Sequence, residues 1–378
     1  MIDTLVIKFA SPCNLACEYC YEYAAGDKSW RERPKLPSIE TLERIGYRIR
    51  ELGESTNIGS IRIVAHGGEP LLAGARGLGS FFRCLEAAAS PVNIQWSIQT
   101  NGTLLSSDIC DVLERHRVLV GISIDGSERQ NRRRIDHRGR PSWQRVMDGI
   151  ALIRNRPGVR WGGLLCVVNL DDEPEETIEA LCSQSPPQVD LLHPFITHDT
   201  AGDQRMALAE NFGVWMLRAM RHWMSREDLS ETRIRVFEDA LQAVATRRPR
   251  TDWFGARRVS YLVIETDGSY DLLDQLKVIG ADSARFRRLG SSVENCSIQG
   301  AIEHAERLLA ETRGNYLPRA CDGCRWADVC AAGHLTARHS LARDFDNPSV
   351  YCEGIQRLLD ECERLVRSRM LLSLPRAE

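Results

Sequence analysis

The chain has 378 residues, with 49 Lys or Arg against 52 Asp or Glu, a formal net charge of −3. Charged residues at 27% and hydrophobic residues at 43% describe a globular chain long enough for one large domain or two medium ones. These values exclude a disordered polymer, a collagen-like repeat and a protein that holds nucleic acid through bulk positive charge. No run approaches the roughly 18 apolar residues of a membrane span. The opening MIDTLVIKFASP lacks the basic and apolar blocks of a signal peptide. A cytoplasmic location is expected, with no membrane or nucleic-acid partner.

Residues 1–195 alternate two periodicities. Strands are predicted at Thr4–Phe9, Ile61–Ala65, Asn93–Gln99, Val118–Ile124, Gly162–Val168 and Val189–Leu192. Several are nearly continuous in apolar and β-branched residues, as parallel strands covered on both faces should be. Helices are predicted between them at Ile39–Leu52, Leu78–Ala88, Ser106–Arg115, Ser142–Arg154 and Glu175–Cys182, with Ser142 placed as an N-cap. Six such units predict an α/β fold, a parallel sheet wound right-handed into a partial (β/α)6 barrel. The polar stretch near 196–205 reads as a linker. Met206–Ser225 and Thr232–Thr246 follow as amphipathic helices. Val259–Thr266 and Ser269–Leu273 then form a hairpin turning at Asp267-Gly268, a strong short-range turn signal. Helices at Ile298–Thr312 and Gly354–Met370 flank a cysteine-rich segment. The expected domains are residues 1–195, a bridging region 196–315, and a C-terminal segment 316–378.

Thirteen cysteines are too many for a reducing cytoplasm to use as disulfides, so metal or redox chemistry is tested first. Cys84, Cys110, Cys166 and Cys182 lie in apolar runs and read as core. The rest include two knots. Cys13, Cys17 and Cys20 make C-x3-C-x2-C, a spacing expected by chance at roughly 0.015; Cys321, Cys324 and Cys330 make C-x2-C-x5-C. The first knot has no nearby His to complete a zinc site. Three thiolates instead leave one iron of a 4Fe–4S cluster without a protein ligand. For the second knot, tetrahedral zinc remains an alternative.

The first knot, with Tyr19 just before its third cysteine, follows the first predicted strand, where parallel sheets bind ligands. It resembles the radical S-adenosylmethionine superfamily. The resemblance implies that the open iron is chelated by the methionine moiety of S-adenosylmethionine, yielding a 5′-deoxyadenosyl radical that abstracts hydrogen. Gly67-Gly68-Glu69-Pro70 is similar to the family's GGE motif, whose backbone and carboxylate hold the methionine ammonium. Gln99-Thr100-Asn101-Gly102 and Ser123-Ile124-Asp125-Gly126 are similar to segments that contact ribose or carboxylate. The resemblance further implies a carboxylate clamp from the run Arg132–Arg134, for which Arg134 is taken, and an apolar adenine contact from the fifth strand, for which Val167 is taken. Tyr19, Gly67, Gly68, Glu69, Gln99, Asn101, Ser123, Arg134 and Val167 are thus the expected cofactor-binding residues, and Cys13, Cys17 and Cys20 the cluster ligands.

The terminal segment, Cys321, Cys324, Cys330, His334 and Cys352, resembles the SPASM extension of peptide-modifying radical enzymes. That likeness implies an auxiliary 4Fe–4S cluster on Cys321, Cys324, Cys330 and Cys352, within an α+β extension. A second auxiliary cluster would fall to Asp274, Cys296 and His334 and is expected to be absent. The runs SYLVIETDGSYDLLDQLK, VDLLHP and RHSLARDFDNPSVYC are similar to the FxsB-type branch of peptide maturases. This implies a ribosomally made precursor peptide as partner, a flavodoxin- or ferredoxin-type electron donor, and formation of a carbon–carbon crosslink (a cyclophane) between an aromatic ring and a neighbouring Cβ. Asp274 is the expected catalytic base, with Glu265 the second candidate. Leader recognition is expected from the main body or another protein, since no stretch ahead of residue 4 could form a leader-binding domain. The alternatives are a dehydrogenase of the sulfatase-activating type, a thioether-forming maturase, or a zinc-binding structural protein.

Overall fold

The computed structural model describes residues 4–227, 231–254, 261–283 and 291–373. Its strands are β1 (Thr4–Ala10), β2 (Ser60–Gly67), β3 (Asn93–Thr100), β4 (Leu119–Ser123), β5 (Arg160–Val167), β6 (Gln188–Leu192), β7 (Arg233–Ile234), β8 (Tyr261–Ile264) and β9 (Tyr270–Asp271). The six strands expected before residue 195 all form, each within two residues of its expected ends. The chain divides into two compact units, Met1–Cys166 with Val259–Leu308, and Val167–Arg258 with Leu309–Glu378.

In the first unit the strands neighbour one another in the order β5-β4-β3-β2-β1-β8-β9. All pairs are parallel except β8 with β9, which are antiparallel. The sheet does not close on itself, the open α/β architecture expected of a partial barrel. β1 is central, and Leu5, Ile7 and Phe9 are fully buried, as a strand covered on both faces must be. Helices α1 (Ile39–Thr56), α2 (Gly74–Ala89), α3 (Ser107–Arg115) and α4 (Trp143–Arg154) connect the strands. In α1 the side chains of Leu42, Ile45, Ile49 and Leu52 recur at helical spacing and are buried, while Ser38 Oγ caps the start by accepting from Thr41 N (3.0 Å). Ser142 stands at the N-cap position of α4 as expected, but its side chain makes no capping bond: the hydroxyl donates to Arg134 O (2.6 Å) and accepts from Asn131 (3.3 Å). A buried loop carbonyl competes for the serine and wins. The hairpin turns at Asp267-Gly268 as expected, with Gly268 at φ +80°. Residues 259 and 260 of its first expected strand lie outside the described residues.

The second unit carries the parallel pair β6–β7 and the helices α5 (Pro174–Cys182), Arg205–Ser225, Arg235–Thr246 and Cys352–Ser373. Cys110, Cys166 and Cys182 are buried as expected of core cysteines; Cys84 is half-buried. Among the described residues no helix is long and apolar enough to cross a membrane. Helices Arg205–Ser225 and Cys352–Ser373 cross where glycine meets glycine. A Cβ on Gly354 would stand 2.5 Å from Ala209 O and 2.8 Å from Gly213 N. Gly354→Val is therefore expected to overpack this crossing and cost about 1–3 kcal/mol, read as a lower urea midpoint with an unchanged slope.

Candidate active site

β1 ends at Ala10 and the chain turns at once into the loop carrying Cys13, Cys17 and Cys20, all half-buried. The loop is held by backbone bonds: Cys20 N donates to Cys17 O (3.1 Å), Ala16 N to Ile135 O (2.7 Å) and Glu18 N to Arg133 O (3.1 Å). Leu15 N and Asn101 Nδ2 both approach Cys13 Sγ (3.4 and 3.8 Å). Burial, with Glu69 nearby, pushes the Cys13 thiol up to about 12, and burial beside Cys17 pushes Cys20 up to about 11. The Cys17 thiol is raised by burial as well. Burial thus disfavours the free thiolate at all three positions, and the positive charge of a bound metal would offset it.

Gly67 and Gly68 let the end of β2 touch this loop. Gly68 N donates to Ala10 O (2.9 Å) and Glu69 N to Pro12 O (3.0 Å). A Cβ on Gly68 would overlap the Tyr23 hydroxyl and the Pro12 carbonyl. The close approach that requires glycine here is to the chain's own backbone. Glu69 then points inward, fully buried. Its carboxylate accepts from Thr100 Oγ1 (2.7 Å), Leu71 N (2.9 Å) and Asn101 N (2.8 Å). No cation stands within ion-pair distance of it among the described residues. Burial, outweighing those three bonds, raises its pKa.

The neighbouring strand ends supply the remaining polar groups. Gln99 Nε2 donates to Ser123 Oγ (2.8 Å) and Asn101 Nδ2 to Asn14 Oδ1 (2.8 Å). Tyr19 donates to Asp125 and accepts from Arg134 Nη1 (2.8 Å). Of the three arginines, Arg132 is exposed and Arg133 lies over the Tyr19 ring (5.0 Å), whereas Arg134 is buried with an unpartnered Nε. Val167 closes β5, half-buried.

Behind the loop lies a buried network of charges. Lys8 Nζ pairs with Asp274 (2.9 Å) and Glu22 (3.3 Å); Lys277 Nζ pairs with Glu22 (2.5 Å) and Glu265 (2.9 Å). Arg33 pairs with Glu265 (2.8 Å) and Asp271 (3.3 Å). Three cations thus face four buried carboxylates. The imbalance is resolved at Asp271, which burial and the adjacent Glu265 push well above the carboxylate range. Burial and Glu265 thus favour the protonated form of Asp271. Asp274 behaves oppositely: burial would raise it, but Lys8, His66 and Lys277 hold it below its ordinary value. It also accepts from Tyr21 (2.7 Å), the residue after Cys20.

In the second unit Cys321, Cys324, Cys330 and Cys352 line one cavity together with Trp326 and Gln356. Burial and the charges of the neighbouring cysteines push Cys321 up to about 11 and Cys330 up to about 12. Among the described residues no three His, Cys, Asp or Glu side chains close on a single metal-ion position; thiols that each take a different iron of one cluster sit farther apart than that. Of the groups considered for a second cluster, Asp274 is committed to Lys8 and Tyr21. His334 Nδ1 is bonded to Thr336 Oγ1 (2.9 Å) with its ring against His193 and Phe195. Cys296 Sγ reaches Ser297 O (3.4 Å).

Residues 7–182 match the family model of the Radical SAM superfamily. That segment is a radical SAM domain. Across 336 residues the chain is 29% identical to the serine-type anaerobic sulfatase-maturating enzyme of Klebsiella aerogenes, covering 86% of this chain and 78% of that one. It is 23% identical over 384 residues to the cysteine-type enzyme of Clostridium novyi (strain NT), covering 95% of each. The fold is similar to that of native anSMEcpe with bound AdoMet and Kp18Cys peptide, with a TM-score of 0.82 at 19% identity over 98% of this chain and 99% of that one. A radical SAM domain works with S-adenosylmethionine and a 4Fe–4S cluster, and the residues gathered here fit both. The buried Glu69 carboxylate lacks the cation that an ammonium supplies, and three unpaired thiols share one loop.

Sequence reasoning did not single out Lys8, Tyr21, Glu22, Arg33, His66 or Lys277. The available signal was a lysine inside a largely apolar run, Lys8 alone in TLVIKFA and Lys277 beside Asp274 in LLDQLKVIG. His66 borders the radical SAM glycine pair, and burial, then Lys8, lowers its pKa to about 4. Unfolded, it titrates near 6.5. The unfolded chain therefore takes up a proton between those values that the folded chain refuses, so stability falls as pH drops through that window. Lowering pH from 7.5 to 5.5 is expected to cost about 1.4 kcal/mol through this residue. His66→Gln is expected to remove that share, measured by chemical unfolding at both pH values.

Proposed function

We propose that this chain is a radical SAM enzyme that oxidises a side chain of a peptide or protein substrate in the manner of the sulfatase-maturating enzymes. Support comes from a likeness that extends well past the radical SAM domain to most of both chains. The carrying observation is a geometric link: Tyr21 directly follows the ligand Cys20, and its hydroxyl donates to the ionised Asp274 (2.7 Å). Radical source and proton acceptor thereby meet at one end of one sheet.

With its cluster and S-adenosylmethionine bound, the domain supplies a 5′-deoxyadenosyl radical that takes a hydrogen atom from the substrate's Cβ. The chain's own residues do the rest. Cys13, Cys17 and Cys20 hold the cluster. Glu69 takes the methionine ammonium as a charge-assisted acceptor, and Arg134, anchored through Tyr19 and Asp125, offers its free Nε to the carboxylate. Gln99, Asn101 and Ser123 line the strand ends where ribose lies, and Val167 offers apolar surface to adenine. Gly67 and Gly68 keep the cysteine loop and Glu69 in register.

Loss of the hydrogen atom acidifies the neighbouring O–H or S–H; Lys8 keeps the acceptor ionised but also weakens it as a base, so the transfer depends on that acidification. Asp274 is that acceptor, and Glu265, paired with Lys277 and Arg33, holds the network in place. Cys321, Cys324, Cys330 and Cys352 would hold an auxiliary 4Fe–4S cluster, which would supply a one-electron acceptor for the remaining electron. One hydrogen atom, one proton and one electron leave; the balance is a two-electron oxidation. A flavodoxin- or ferredoxin-type donor supplies the electron that starts each turnover.

The sequence runs similar to FxsB-type maturases favour a second outcome, in which the same Cβ radical adds to an aromatic ring. An aldehyde reacts with hydroxylamine and a carbon–carbon crosslink does not, so trapping separates the two. The proton acceptor is tested by Asp274→Asn with a serine- or cysteine-containing sulfatase-type peptide. The expected result is 5′-deoxyadenosine release within a few-fold of the parent, normal iron content, and product formation reduced about 10²-fold. Unchanged product would retire Asp274 as the acceptor. Lost iron or an unfolded chain would assign its pairing with Lys8 to the fold instead.

A further inference from the structure

Helix Cys352–Ser373 places Gln356 one turn after Cys352, on the same face. Its Nε2 lies 3.2 Å from Cys352 Sγ, and both residues line the four-cysteine cavity. A metal-bound sulfur is a thiolate and only accepts, so the amide must present its N–H end. Besides the cysteines and Gln356 the wall is made of Trp326, Ala327, Ala332 and Ser349.

Arg338 is the second unusual group. It is 3% exposed and donates to four backbone carbonyls, those of Gly314 (2.8 Å), Arg313 (3.0 Å), Tyr316 (2.8 Å) and Phe345 (2.8 Å). Those bonds satisfy its hydrogens but leave its charge unmatched: no carboxylate stands within ion-pair distance of it among the described residues. Beyond that distance the charges of Cys321, Asp346 and Cys330 act on it, too weakly to offset its burial. A buried cation without a counter-ion is costly, and an anionic cluster on those cysteines removes the cost.

We propose that Gln356, backed by the fixed charge of Arg338, raises the reduction potential of the cluster held by Cys321, Cys324, Cys330 and Cys352, making it the acceptor of the substrate's electron. This rests on the reading of those cysteines as auxiliary-cluster ligands. Taking up one electron adds one negative charge to the site. A donor to a ligand sulfur and a nearby cation both stabilise that reduced form more than the oxidised one. Gln356 and Arg338 are positioning residues in this scheme; neither touches the substrate.

The test is a redox titration of the anaerobically reconstituted enzyme, followed by electron paramagnetic resonance of the cluster signal that S-adenosylmethionine does not perturb. In Gln356→Leu the reduction equilibrium of that cluster is expected to fall about tenfold, which is 59 mV for one electron. The signal that does respond to S-adenosylmethionine should keep its midpoint. Arg338→Met is expected to shift the same cluster the same way, and Arg338→Lys, which keeps the charge, to shift it less. Where Arg338→Met fails to fold, Gln356→Leu decides alone. A Gln356→Leu enzyme with its auxiliary cluster present and its midpoint unmoved would overturn the proposal and leave the four-cysteine reading standing. A parent enzyme with about four irons and only the S-adenosylmethionine-responsive signal would overturn both.

Discussion

A charge removed from water must find its opposite, and that constraint organises both units of this protein. In the first, Lys8, Lys277 and Arg33 are matched to Glu22, Glu265 and Asp274, and at the fourth carboxylate, Asp271, burial favours the protonated form. Desolvation makes any other tally expensive. Among the described residues, two buried groups without an ion-pair partner are informative for the same reason. Glu69 is buried with three hydrogen-bond donors and no cation. Arg338 is buried with four carbonyl partners and no anion. On the proposed function each marks a position where a bound group would complete the electrostatics, an ammonium in one case and an anionic cluster in the other.

The sheet brings these groups together because of where parallel strands end. β1, β2 and β3 run side by side, so the residues just beyond them share one rim. The cysteine loop follows β1, the glycine pair and Glu69 follow β2, and Asn101 follows β3. Gly68 is where the first two meet, since any side chain there would strike Pro12 and Tyr23. β8 lies on the other side of β1 and carries Glu265 and, after the hairpin, Asp274 to the inner ends of Lys8 and Tyr21. The hairpin is thus a structural arm of the first unit that delivers acid residues to its core.

Much of this was legible in the residues. Parallel strands covered on both faces announce themselves as apolar β-branched runs, and the cysteine spacings carry their chemistry in the interval itself. Glu69 and Asn101 were found because short motifs at strand ends have few structural solutions. The buried network was not legible, because the partners of Lys8 are 14 and 266 residues away and a single lysine in a strand looks like a surface position. Ser142 looked like a cap because capping is a local pattern, and the carbonyl of Arg134 that claims it is a tertiary one. Gln356 and Arg338 sit among ordinary helical and loop polar residues; only burial and direction distinguish them. Interval-coded chemistry reads from sequence, whereas charge balance depends on contacts that folding creates.

The central claim is that Cys13, Cys17 and Cys20 hold one cluster, with an iron left open for S-adenosylmethionine, while the four later cysteines hold another. The most direct measurement is iron content and S-adenosylmethionine cleavage in the Cys13→Ala, Cys17→Ala, Cys20→Ala triple variant after anaerobic reconstitution. Against about eight irons in the parent enzyme, about four should remain, with the auxiliary signal intact and no 5′-deoxyadenosine released. A triple variant that still released 5′-deoxyadenosine, or that kept all its iron, would contradict the account.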